Sequence, residues 1–148
     1  MRELSAKYGY SDITQFLVEY VSVHPEVDHQ VDEEQRIFGK ENDDFVLDAH
    51  LGFHFVPDSI RICLICDLEE AARRILDDSG RTTETATNIK DSIDSSQKRR
   101  VTMQKNFMSL YQVDIDDHSN FDLVLDTTSL SSDEVFERAS AFIDLQRT

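Results

Sequence analysis

The sequence predicts an α/β fold built on a parallel sheet. Three short apolar runs lie far apart along the chain, helix-length segments separate them, and no internal repeat or low-complexity tract interrupts the order. The runs are residues 44–48 around Phe45-Val46-Leu47, residues 60–66 (Ile-Arg-Ile-Cys-Leu-Ile-Cys) and residues 121–126 (Phe-Asp-Leu-Val-Leu-Asp). Their near-continuous apolar character, without clean alternation, predicts strands covered on both faces.

The helices follow from caps and periodicity. Asp67-Leu68-Glu69-Glu70 offers an N-cap with Glu three residues on, ahead of residues 71–76. Ser131-Ser132-Asp133-Glu134 repeats that pattern before Val135, Phe136, Ala139, Phe142 and Ile143, whose spacing places them on one helical face. A long polar helix is expected over residues 88–111. Ser11 is expected to cap a helix running to Tyr20, and a further helix is expected over residues 33–40, with Gly39 near its end. The Ser/Thr-rich stretch 79–87 reads as a mobile loop inside one domain.

Composition sets the function classes. The 148 residues hold 15 Lys plus Arg against 30 Asp plus Glu, a formal charge of −15, which argues against broad binding to nucleic acid polymers or anionic lipid. No apolar run is long enough to span a membrane, and residues 1–15 lack the apolar stretch of a signal peptide. Two cysteines make no disulfide framework, so a cytoplasmic setting is the expectation. The charge is uneven. Residues 73–105 carry eight basic residues against five acidic ones, a local +3 on a body of −18. Such a basic flap suits a small polyanion such as a nucleotide, and a solvated helix face accounts for it as well from charge alone.

Other chemistries find less support. His50-x-x-x-His54 and Cys63-x-x-Cys66 have zinc-like spacings, but a separation of three in a strand sends the two cysteines to opposite faces. They are expected to be small buried apolar groups. Asp114, Asp116, Asp117 and His118 lack the glycine and terminal Glu of a calcium loop and read as a turn. No nucleophile elbow is present. The four glycines (Gly9, Gly39, Gly52, Gly80) never fall two within five residues, and no Gly-Lys-Ser/Thr triplet occurs. The chain therefore holds no glycine-rich loop for phosphates.

Taken in order, several stretches resemble the cytidylate-kinase-like family of P-loop nucleoside monophosphate kinases. They are Met1-Arg2-Glu3-Leu4-Ser5-Ala6, Ser11-Asp12-Ile13-Thr14-Gln15-Phe16, His24-Pro25-Glu26-Val27-Asp28, the segment 45–58, Ala71-Ala72-Arg73-Arg74-Ile75 and the segment 100–128. The resemblance covers nearly the whole chain and rests on the order of motifs that are weak singly. It implies a three-layer parallel sheet in a single domain, with acceptor-binding helices over about 1–42 and a lid over about 73–105. It also implies phosphoryl transfer from ATP, with Mg2+, to CMP or a similar monophosphate. Arg2 would hold the acceptor phosphate. Arg73, Arg74, Arg81 and Arg100 would neutralise charge on the transferring group, and Asp48 would either orient the acceptor or the metal or serve as a structural turn residue.

Departures from the family pattern shape the expectation. The signature loop Gly-x-x-x-x-Gly-Lys-Ser/Thr is missing, and His50 stands where an acceptor-contacting Arg is usual. Asn106 replaces an Arg, with Lys105 beside it, and Val101 and Met103 replace acidic residues. The missing strand–loop–helix unit, on the order of 30 residues, would sit between the strands at 45 and 62. Its loss leaves unpaired backbone groups there. The expectation is a fold truncated at its N-terminus, with Met1 an internal methionine of a longer natural chain. The alternatives are a degenerate nucleotide-binding or interaction module, a homodimer through the open sheet, and a structural domain with no ligand.

Overall fold

The computed structural model describes residues 2–78 and 87–147. Helices dominate: α1 (Arg2–Lys7), α2 (Ile13–Gln15), α3 (Pro25–Glu41), α4 (Gly52–Phe55), α5 (Leu68–Asp77), α6 (Ile89–Tyr111) and α7 (Ser132–Gln146). Two strands, β1 (Ile62–Ile65) and β2 (Leu123–Asp126), pair in parallel with Ile62 opposite Leu123 and Ile65 opposite Asp126. A parallel pair needs a crossover, and α5 and α6 lie along it. The chain divides into two compact units: residues up to Glu33 with Leu68–Asp114, and Glu34–Asp67 with Ile115–Thr148.

In the first unit, Asp12 caps α2 by accepting from the Gln15 amide at 2.9 Å. The expected cap was Ser11; the aspartate one residue later reaches the free amide and takes the role. The helix then loosens into a π-turn over Phe16–Tyr20 and a 3-10 turn over Val21–Val23. Ile13, Phe16, Leu17, Val21 and Val27 form the core. Gly9, at φ +83°, reverses the chain after α1, a conformation side chains disfavour. α3 starts at Pro25, eight residues before the expected start, because proline suits a first helical position. α6 begins as expected, with Asn88 accepting from the Asp91 amide at 2.9 Å. It ends at Gln112 in the left-handed region. The phenol of Tyr111 donates to buried Asp32 on α3 at 2.8 Å and lies 3.0 Å from His29 Nδ1.

In the second unit the β1–β2 pair carries buried Leu125, and Leu51 and Phe55 are also buried. Ser131 and Glu134 form the expected reciprocal capping box at the start of α7. Gly39 lets Val56 pack on α3: an added Cβ would lie 2.7 Å from Val56 Cγ2.

Four expectations are corrected here. Residues 44–48 form no strand; Val46 is 97% exposed, and Asp44 takes φ 55°. A strand needs a neighbour to accept its ladder, and none lies beside this run among the described residues. The sheet has two strands among the described residues, so its apolar residues are not covered on both faces: Leu64 is 55% exposed. The apolar stripe of α7 is not buried either, with Phe136 exposed, since two strands offer little surface for a helix to cover. Cys63 and Cys66 are half-buried free thiols for the same reason. The expected loop at 79–87 lies, apart from Thr87, outside the described residues.

Candidate functional site

Arg73 and Arg74 sit on α5, one turn after its two first-turn acids. Helical spacing puts i, i+3 and i+4 side by side, so Glu70 bonds Arg73 and also accepts from Arg74 Nε at 2.9 Å. Glu69 reaches Arg73 at 3.5 Å. Both arginines remain exposed, and these exposed pairs are weak enough for an incoming phosphate to compete with them. Arg100 lies on the exposed side of α6 in the same unit, and α5 packs against α6. Three of the four expected charge-neutralising residues therefore share one unit.

Asp48 and His50 belong to the other unit, both exposed, on the extended segment that leads into α4. Arg2 lies in α1, but its side chain is outside the described residues, as is all of Arg81. Among the described residues no cluster of His, Cys, Asp and Glu is arranged to hold a metal ion.

Sequence reasoning missed the carboxyl edge of the two strands, where parallel sheets place their ligands. Asp126 closes β2 and accepts the Thr128 amide at 2.9 Å and the Thr128 hydroxyl at 2.6 Å. Those bonds, the side-chain one first, hold the Asp126 carboxyl below its ordinary pKa. Thr128 Oγ1 accepts the Asp67 amide at 2.9 Å, and Thr127 donates to the Ile65 carbonyl at 3.0 Å. The loops after the two strands are thereby tied together. The signal was in the sequence: Asp-Thr-Thr directly after an apolar run is a hydroxyl-rich turn at a strand end.

Nothing at these positions fits the phosphates of ATP. The chain has no glycine-rich loop and no Gly-Lys-Ser/Thr, the pattern that cradles such phosphates on backbone amides.

No family model matches the chain, and no solved structure matches it. The cytidylate kinase of Pyrobaculum islandicum is 31% identical over 144 residues, covering 96% of this chain and 73% of its own. That of Pyrobaculum aerophilum is 32% identical over 132 residues, covering 88% of this chain and 67% of its own. The chain belongs to the cytidylate kinase family. It is also 33% identical over 132 residues to a Lacinutrix mariniflava protein named S-adenosylmethionine-dependent nucleotide dehydratase, covering 87% of this chain but only 25% of that protein. No helix among the described residues is long and apolar enough to cross a membrane.

Proposed function

We propose that this chain supplies the acceptor-binding and lid parts of a nucleoside monophosphate kinase working on CMP or a similar monophosphate. The observation that supports it most is its membership of the cytidylate kinase family over nearly its whole length. In this reading Arg2, Asp48 and His50 bind the acceptor, within a single kinase-like domain whose acceptor helices span about 1–42. Arg73, Arg74, Arg81 and Arg100, in a lid of about 73–105, face the charge that develops on the transferring group. Release from Glu69 and Glu70 would free two of these cations when the acceptor phosphate arrives.

ATP and Mg2+ would supply the phosphoryl group and its charge neutralisation, held by a glycine-rich loop that is not among these 148 residues. A further strand between residues 45–48 and β1 would complete the three-layer sheet that this reading implies. The setting we favour is cytoplasmic. The 148 residues alone should show no meaningful kinase activity. A coupled assay of ADP formation from ATP and CMP tests this, and appreciable CMP-dependent turnover by this chain overturns it.

A second reading has one observation of its own. His50 and Asn106 stand where the family pattern has Arg, which favours a non-catalytic nucleotide-binding or interaction module. Restoring His50→Arg and Asn106→Arg separates the readings. A kinase acceptor site gains CMP affinity from the added guanidinium groups, and a degenerate module does not.

A further inference from the structure

The outer face of α6 shows a basic stripe on an acidic protein. Lys98, Val101 and Lys105 are all exposed, and Val101 is 68% exposed. Steps of three and four residues along a helix put them on one face. The outer face of α3 repeats that spacing with the opposite charge. Glu34, Ile37 and Glu41 are all exposed, and Ile37 is 45% exposed. Each stripe is a β-branched apolar residue between two like charges, lysines on one helix and glutamates on the other.

We propose that the α6 stripe of one copy docks on the α3 stripe of a second copy of this chain. The match of charge selects the occupant: Lys98 and Lys105 would face Glu34 and Glu41, while Val101 and Ile37 meet between them. Met108 and Phe38, each 43% exposed, extend the apolar contact. The net charge of −15 makes copies repel at long range, but at physiological ionic strength screening sets in beyond about 8 Å. The local match then decides whether copies associate. Neither stripe includes Arg73, Arg74 or Arg100, although the stripes lie within the stretches proposed above as lid and acceptor helices. The contact uses a different surface from the open edge of β1.

Sedimentation velocity of the 148-residue chain, from low to hundreds of micromolar at physiological salt, is the test. The expected result is self-association that grows with concentration. Lys98→Glu with Lys105→Glu should weaken it by about tenfold or more, as should Glu34→Lys with Glu41→Lys. Mixing the two double variants should restore a complex that neither forms alone. Circular dichroism checks that both variants keep their helices. A wild-type chain that stays monomeric throughout overturns the proposal. So does association that survives both charge reversals, which would place the contact elsewhere, for instance at the β1 edge.

Discussion

Arg61 and Asp122 grip each other through side chain and backbone at the start of the sheet. Asp122 Oδ2 accepts from the Arg61 amide at 2.8 Å and from Arg61 Nε at 3.0 Å, and Oδ1 accepts from Nη2 at 2.6 Å. The Asp122 amide in turn donates to the Arg61 carbonyl at 2.8 Å. The next residues along, Ile62 and Leu123, are the first paired rung. The pair therefore sets the register of two short strands, a choice that hydrophobic pattern alone leaves open.

The forked geometry gives the first prediction. Hydrogen bonding to Arg61 holds the Asp122 carboxyl below its ordinary 3.8. Side-chain bonds likewise lower Asp117 and Asp126, and the Ser131 backbone bond lowers Glu134. Depressed carboxylates contribute stability that is fully present above their unfolded values and is lost as pH falls through the folded ones. Thermal unfolding should therefore show a steep loss of stability below about pH 4. Asp122→Asn should lower Tm at neutral pH and flatten that acid limb. Arg61→Lys should act in the same direction, since a lysine cannot make the fork. An unchanged acid limb in Asp122→Asn would contradict this assignment.

Gly39 gives the second. Alanine is favoured over glycine in a helix by about 1 kcal/mol, yet its Cβ would meet Val56 at 2.7 Å and 3.0 Å. Valine is stiff at χ1 and cannot swing aside cheaply. Gly39→Ala should therefore destabilise the protein in chemical denaturation. Its cost should shrink when Val56→Ala is present, giving a non-zero coupling in the double-mutant cycle.

Ser92 gives the third. It is buried in the first turns of α6, and its hydroxyl has no hydrogen-bond partner among the described residues. A buried, unpaired hydroxyl costs stability, so Ser92→Ala should stabilise by about 1 kcal/mol. A loss of stability on that change would mean the hydroxyl is satisfied.

Local chemistry explains which parts were legible in the sequence. The capping box at Ser131 and the start of α6 at Asn88 were readable because a cap is decided within four residues. The runs at 62–65 and 123–126 form strands because each finds the other. The run at 45–48 has the same apolar look, but strand formation is a property of pairs, and it has no neighbour to ladder with among the described residues. Arg61 and Asp122 each sit second in an apolar run with opposite charge, a pairing visible only once the runs are known to be adjacent. For the site, the basic residues were legible as a charge imbalance. Their tethering to Glu69 and Glu70 was implicit in the helical spacing. The Asp126–Thr128 turn was passed over because its importance comes from lying at the carboxyl edge of paired strands.

In the proposed function this chain binds a nucleoside monophosphate, with Arg2, Asp48 and His50 on the acceptor and Arg73, Arg74 and Arg100 in the lid. A titration with CMP followed by backbone amide shifts tests that reading most directly. Saturable shifts are expected at Arg2, Asp48, His50 and the lid arginines, weakened when Arg2→Ala and His50→Ala are combined. A chain whose amides do not move with CMP, or whose shifts persist undiminished in that double variant, would contradict it.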